Sequence, residues 1–518
     1  MTRPRVPLEP GRIVGVVDIG ATAIRIVVAE IGPNGTWRRL DRAGKPISLG
    51  RDVFTTGYLS AESMRQSIKI LSGFRELLDG WGITTSDVRV IATSAVREAK
   101  NRDMFIDRVF VRTGFRTVVV EGVEENHLTY LAVQHALAPK RQEFLKTGSL
   151  IIEVGGGSTE LMLLNRGQMV AAHSLRIGTV RMEQQVRPGW DTGLQIEEYL
   201  KENIRVTREL LDAEMKLDRV KFFVAVGGDA RIAAATVGRK TGDAYSEIAA
   251  DDFRAFVAGL MQCSIEETVH ELGVTYYEAE GLLPALIVYR GFLEATSADT
   301  LIVPDVSIRE GVLATFALGT EENVVRQFYD QVIASARSLG RRYHYDERHA
   351  LHVRELAVQI FDGMKEDHGM DVHCRLLIEA AAILHDIGYF IRSAGHHKHG
   401  QYIIENSEIF GVSRTDVRII SNVVRYHRRS APMPTHPSFS SLRREHRMIV
   451  MKLAAILRVA DALDRGHIQR VSSVSLERNE DDVMFHCTHT GDISVEKNGV
   501  AVKGGMFEDV FGYRVVIL

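Results

Sequence analysis

Glu153-Val154-Gly155-Gly156-Gly157-Ser158-Thr159-Glu160, entered from the apolar run Leu150-Ile151-Ile152, is the stretch on which the fold assignment turns. Three consecutive glycines remove Cβ at the turn, so backbone N–H groups can close around a phosphate. Ser158, Thr159 and Glu160 add hydroxyls and a carboxylate at its exit. A glycine run alone reads as an ordinary turn. A second acid–glycine turn upstream gives it weight: Val14-Gly15-Val16-Val17 leads into Asp18-Ile19-Gly20-Ala21-Thr22-Ala23-Ile24-Arg25. Around both turns strands alternate with helices. Ile13 to Val17, Ala23 to Ala29 and Val88 to Ala92 precede a helix predicted from near Ala95. Ser149 to Val154, Leu161 to Leu164 and Lys221 to Val226 repeat the pattern, ending on Gly227-Gly228.

Two halves that each open with a strand, an acid and a glycine turn resemble the duplicated actin/sugar-kinase (ribonuclease H-like) fold, where phosphates lie in the cleft between halves. The predicted class is α/β, with one domain over 1–135 and a second over 136–318. After about Gly319 the grammar changes. Leu351, Leu356, Ala357, Ile360, Phe361 and Met364, then Leu376, Leu377, Ala380, Ala381 and Leu384, fall at helical spacing and predict an all-α domain over 319–470. Within it Ala431-Pro432-Met433-Pro434-Thr435-His436-Pro437 reads as a surface loop. Short alternating stretches at Val471 to Leu476, Val483 to His486 and Tyr513 to Ile517 predict a small β-rich terminal domain over 471–518.

A chain of 518 residues can bury several cores, and a hydrophobic fraction of 45% with 25% charged residues is that of a globular protein rather than a disordered one. No stretch approaches the roughly 20 apolar residues of a membrane helix, and the opening MTRPRVPLEP has no apolar signal core. A cytoplasmic location without membrane association is therefore expected. Cys263, Cys374 and Cys487 are scattered and odd in number, so neither a disulfide framework nor a zinc ribbon is suggested.

Three turns can face phosphate: Asp18 to Arg25, Thr93-Ser94-Ala95-Val96-Arg97, and Gly155 to Thr159. Exposed amides at helix starts favour anions, and the Arg97 guanidinium can fork onto phosphate oxygens. Between the second and third lies Glu121-Gly122-Val123-Glu124-Glu125-Asn126, whose acids could equally serve as dipole-favoured residues at a helix start.

The ordered series DIGATAIR, ATSAVREAKN, GVEENHLTYLAV, EVGGGSTEL, SLRIGTVRM, VGGDARIAA and VSIREGVL resembles the exopolyphosphatase/guanosine-pentaphosphate phosphohydrolase family. LHDIGYFI, HHKHGQYII, RYHRR and LRVADALDR make the C-terminal half similar to the long form of that family, with its HD-like domain. The resemblance implies Mg²⁺-dependent hydrolysis of terminal phosphates, Mn²⁺ being an alternative ion. The substrate it implies is inorganic polyphosphate, with pppGpp as a related one. It also implies a homodimer. By position Glu125 matches the catalytic carboxylate and Glu160 a second acid. Asp18, Glu153 and Glu160 would hold the metal. Gly20, Ala21, Thr22, Ala23, Arg25, Arg97, Gly155, Gly156, Gly157, Ser158 and Thr159 would contact the phosphates. A phosphoanhydride needs charge neutralisation and an aligned water more than a covalent nucleophile, so Glu125 as general base fits the chemistry independently.

Three positions depart from that family. Ala21, Thr22 and Ala23 replace serine, asparagine and serine; Glu153 replaces aspartate and reaches one methylene further; Asp229 replaces threonine or serine, and should repel a phosphate unless Mg²⁺ or Arg231 offsets it.

His352, His385-Asp386 and Asp461 stand in the order of an HD phosphohydrolase metal site, with His397, His399 and His427 as additions. Imidazoles and carboxylates together suit a second divalent centre, although a histidine–aspartate pair can also serve only to cap or brace a helical bundle. A nucleotide phosphohydrolase centred there, and a non-catalytic sensor of phosphate polymers, are thus the competing functions. Two basic runs flank the Pro-rich loop, Arg425, His427, Arg428 and Arg429, then Arg443, Arg444, His446 and Arg447. They could retain a polyanion, but lack the interleaved aromatics of a nucleic-acid surface, so no nucleic-acid partner is expected.

Overall fold

A computed structural model describes residues 11–32, 35–185, 193–318 and 322–518. They form two compact units, Met1–Arg326 and Gln327–Leu518. The expected boundary at 318/319 abuts residues 319–321, which with the opening ten residues lie outside those described.

The first unit holds two sheets. In one, β1 (Arg12–Ile19), β2 (Ala23–Ile31), β3 (Trp37–Pro46), β4 (Val88–Ala92) and β5 (Thr117–Val119) stand in the order β3-β2-β1-β4-β5. The three strands β1 to β3 form an antiparallel meander, and β4 and β5 extend the sheet in parallel. The second sheet comprises β6 (Gly148–Val154), β7 (Thr159–Asn165), β8 (Gln168–Leu175), β9 (Val220–Val226), β10 (Arg239–Lys240), β11 (Tyr245–Ala249) and β12 (Thr300–Pro304). Its order is β10-β11-β12-β9-β6-β7-β8. Reading β8-β7-β6-β9-β12 against β3-β2-β1-β4-β5 gives the same five-strand plan, with the same senses, in both halves. The duplication is therefore topological.

Strands buried on both faces read as apolar runs. β1 shows this: Val14, Val16, Val17 and Ile19 are fully buried. One face packs beneath Leu71 and Leu78. The other is covered by Val312 and Leu313 of the helix Ile308–Leu318, which the second half contributes. The glycine turns join β1 to β2 and β6 to β7, so register matters at their mouths: Asp18 stands opposite Arg25, and Glu153 opposite Glu160.

The second unit is built on helices Glu347–Gly363, Val372–Leu384, His396–Glu405, Arg414–Tyr426 and Arg444–Ala462. Leu356, Ala357, Ile360, Ala380, Ala381 and Leu384 are buried at the predicted spacing. β13 (Val471–Arg478), β14 (Asp482–His489) and β15 (Arg514–Ile517) make a small sheet flanked by helices Ser494–Lys503 and Gly505–Phe511. Val471, Phe485, Val500 and Phe507 belong to the same apolar core as the helices. The small sheet thus finishes the helical core rather than building one of its own. No helix among the described residues is long and apolar enough to cross a membrane.

Candidate active site

The two glycine turns of the first unit meet over a cleft of about 670 Å³. A Cβ on Gly156 would lie 2.7 Å from Thr22 Cγ2 and 3.2 Å from Ala21 Cβ, and one on Gly157 would overlap Ser94 and Phe54. The glycines therefore bring the three expected turns into contact. The loop's carbonyls are spent on protein donors: Thr179 N–H to Gly155, Val180 N–H to Gly156, each at 3.0 Å, and Arg181 Nε–H to Gly157 at 2.7 Å. Gly155 N–H closes the turn onto the Ser158 carbonyl at 2.9 Å, and the N–H groups beyond it are the donors a phosphate needs.

The helix Gly122–Ala136 carries the first half's contribution across the cleft. Glu124 closes its N-terminus, accepting the Glu121 N–H at 3.0 Å in a capping box. Glu125, the next residue, lines the cleft instead. The ambiguity of the Glu124-Glu125 pair is resolved by dividing the two roles between them. One residue further, Asn126 donates to Glu160 Oε2 at 3.0 Å, and a turn later Thr129 donates to Glu153 Oε2 at 2.6 Å. Ser174 donates to Glu160 Oε1 at 2.7 Å. Asn126 and Thr129 sit inside the stretch GVEENHLTYLAV but escaped the sequence reading, since only the phase of the helix shows that they face the acids.

Asp18, Glu125, Glu153 and Glu160 all line the cleft. Burial raises every one of these carboxyls. Glu125 is pushed up to about 7 by desolvation, against the lowering pull of Arg97. Glu160 is raised well above the ordinary range by burial and then by the charge of Glu125, while Asp18 and Glu153 are raised by burial and by facing acids. Asp18 Oδ1 is buried with no hydrogen-bond partner. Like charges opposite each other on paired strands, as Glu153 and Glu160 are, destabilise a sheet. An all-oxygen set with one orphaned carboxylate oxygen fits a hard divalent cation. Asp18, Glu153 and Glu160 are the residues that could hold it.

Cations line the same cleft: Arg25, Lys45, Arg231 and Arg309. Lys45 and Arg309 were not among the expected residues, although Arg309 lies inside the quoted stretch VSIREGVL. Gly20, Ala21, Thr22, Ala23, Gly155 and Ser158 line it as expected. Two expected phosphate ligands do not. Thr159 is buried, its hydroxyl donating to the Ile177 carbonyl. Arg97 pairs with the Glu125 carboxylate and donates to the Val120 carbonyl at 2.5 Å. It braces an acid rather than facing a phosphate. Asp229, half-buried beside Arg231, is held up to about 7 by desolvation, which weakens the repulsion its charge would exert on a phosphate near neutral pH.

The family model described as the Ppx/GppA phosphatase family matches residues 27–319, and that of its domain III matches residues 333–493. The chain belongs to the Ppx/GppA phosphatase family. It is a phosphohydrolase acting on phosphoanhydride bonds, in a family whose substrates are polyphosphate or pppGpp and whose members in general require a divalent metal. A guanosine-5'-triphosphate,3'-diphosphate pyrophosphatase from Pseudoalteromonas atlantica is 24% identical over 489 residues, 93% of this chain and 92% of its own length. The structure of an exopolyphosphatase from Cytophaga hutchinsonii covers 60% of this chain and 99% of its own, with a TM-score of 0.53 and 22% identity. That of an Aquifex aeolicus family member covers 60% and 100%, with a TM-score of 0.50 and 25% identity. These likenesses place the duplicated halves in the actin/sugar-kinase class.

In the second unit His385, Asp386 and Asp461 come together as expected, and His427 joins them. His352 does not: its Nε2 is bonded to the Val471 carbonyl at 2.8 Å. His349, one turn earlier, takes its place, and His396 enters where His397 and His399 were expected.

Proposed function

We propose that the cleft releases the terminal phosphate of inorganic polyphosphate, with Glu125 as general base. The observation that carries this reading is the meeting of four acids, Asp18 and Glu160 buried and Glu125 and Glu153 half-buried, with loop N–H groups and four cations in one cleft. Glu125, raised to about 7, is poised to take a proton near neutral pH. It removes that proton from a water molecule whose oxygen attacks the terminal phosphorus. The bridging P–O bond breaks, and the shortened chain leaves with the electron pair. Mg²⁺ held by Asp18, Glu153 and Glu160 would supply charge neutralisation when bound. Arg25 and Arg309 suit the non-bridging oxygens, and Arg97 keeps the Glu125 carboxylate ionised and aimed.

A second reading, removal of the terminal phosphate from pppGpp, is favoured by two observations. The relative named as the pyrophosphatase of that nucleotide matches nearly the whole chain. The cleft wall beyond the glycine loops also includes Ile232, Ala235 and Tyr277, groups that suit a purine better than a bare phosphate chain. Steady-state kinetics with long polyphosphate, short polyphosphate, pppGpp and ATP in Mg²⁺ separate the two. The first reading expects the highest kcat/KM on long polyphosphate and little change in Tyr277→Ala. A preference for pppGpp that Tyr277→Ala abolishes would install the second.

A further inference from the structure

Five helices of the second unit converge on six side chains. His349, His385 and Asp461 have ligand atoms within 4.8 Å of one another, and so do Asp386, His396 and His427. The four imidazoles are 0–1% exposed, so bulk solvent does not reach them.

Each ring is locked in one orientation through Nδ1. His349 Nδ1 meets Asp464 Oδ2 at 2.8 Å, His385 Nδ1 the Ala382 carbonyl at 2.8 Å, His396 Nδ1 the Ser393 carbonyl at 3.0 Å and His427 Nδ1 the Val424 carbonyl at 2.6 Å. At His349, His385 and His427 the oxygen acceptor puts the proton on Nδ1 and leaves the lone pair on Nε2, the arrangement that metal-binding histidines need, whereas His396 Nδ1 also meets the Arg428 guanidinium, an obligate donor. The four Nε2 atoms then face each other in pairs, His349 to His385 at 3.2 Å and His396 to His427 at 3.3 Å. The opposed lone pairs of His349 and His385 repel unless a cation lies between them.

Asp386 divides its oxygens between the pairs. Oδ2 is 3.4 Å from His385 Nε2 and 3.9 Å from His349 Nε2, whereas Oδ1 is 3.3 Å from His396 Nε2 and 3.8 Å from His427 Nε2. Asp461 gives Oδ1 to the first pair, 3.8 Å from His349 Nε2 and 4.0 Å from His385 Nε2, and pairs its Oδ2 with Lys503. Arg428 Nη1 lies 3.2 Å from His396 Nδ1 and 3.4 Å from its Nε2.

We propose that this unit holds two divalent transition-metal ions, one among His349, His385, Asp386 and Asp461 and one among Asp386, His396 and His427, with the Asp386 carboxylate bridging them. Four imidazoles to two carboxylates is a borderline donor set, suited to manganese, iron or zinc rather than magnesium. The centre is chemically distinct from the all-oxygen cleft of the first unit.

The test is elemental analysis of the full chain after loading with Mn²⁺ and desalting, with electron paramagnetic resonance on the same sample. Two retained ions per chain giving an exchange-coupled signal are expected. Retention of none, or an uncoupled single ion, in the unmutated chain would overturn the proposal in favour of histidine pairs that share protons. Asp386→Ala should cost both ions and His396→Gln one, while His352→Ala, outside the cluster, keeps two. Unchanged metal content in an Asp386→Ala chain with native circular dichroism would equally overturn it.

Discussion

The two candidate sites solve the same electrostatic difficulty with opposite materials. The cleft of the first unit gathers oxygen donors, four of them acids, and burial drives each carboxyl toward its protonated form. The cluster of the second unit interleaves imidazoles with acids: the histidines hold Asp386 below the usual carboxylate range, and Lys503, then His385 and His427, do the same for Asp461. What differs is hardness and rigidity. Oxygen donors on strands and a capped helix suit a cation that comes and goes with substrate, whereas imidazoles fixed through Nδ1 suit ions that stay.

Metal exchange should divide the two regions most strongly. Chelation should cut phosphate release by roughly a hundredfold or more, the rate equivalent of several kcal/mol of charge stabilisation. Added Mg²⁺ should restore it without displacing transition ions retained elsewhere. Restoration by Zn²⁺ but not by Mg²⁺ would break the division. A smaller effect is expected for Arg97→Met. Loss of the guanidinium removes the main charge lowering the Glu125 carboxyl. The acid limb of the pH–rate profile should move upward, with activity at neutral pH falling about tenfold per unit of movement. An unmoved limb would show that Arg97 does not act through Glu125.

The pH dependence of stability sharpens the same contrast. Glu125 keeps its proton up to about 7 in the fold but loses it near its ordinary 4.5 when unfolded. Its contribution therefore favours the metal-free fold below that ordinary value and is lost as pH rises through about 7. Mg²⁺ competes with those protons, so the rise in melting temperature on adding Mg²⁺ should widen between about pH 5.5 and pH 8. A rise independent of pH would contradict the buried-acid account. The smallest change is expected for Thr159→Val, which strands the Ile177 carbonyl at a cost of about 1–3 kcal/mol in stability while leaving KM unchanged. A raised KM in a chain of unaltered stability would return Thr159 to the phosphate site.

Much of the cleft was legible in the sequence because its parts are local. The two acid–glycine turns carrying Asp18, Glu153 and Glu160 stand out in the sequence itself, while the metal-holding role of these acids comes from the family resemblance. Thr159 and Arg97 were misplaced because a side chain's direction depends on what packs around it: the Ile177 carbonyl claims one and Glu125 the other. The histidine cluster shows the same limit on helices. His349 and His352 differ by three residues, roughly 4.5 Å along a helix axis, and in His396-His397-Lys398-His399 each step turns the side chain by about 100°. Residue order survives that uncertainty, but ligand identity does not.

The division of labour between adjacent glutamates is the claim on which the cleft mechanism rests, and phosphate release by Glu125→Gln beside Glu124→Gln tests it most directly. Loss of the base in Glu125→Gln should slow release by about 10²–10⁴-fold, with Glu124→Gln, a change in a helix cap, staying near the unmutated rate. Equal rates in the two variants, or the larger loss in Glu124→Gln, would contradict the assignment.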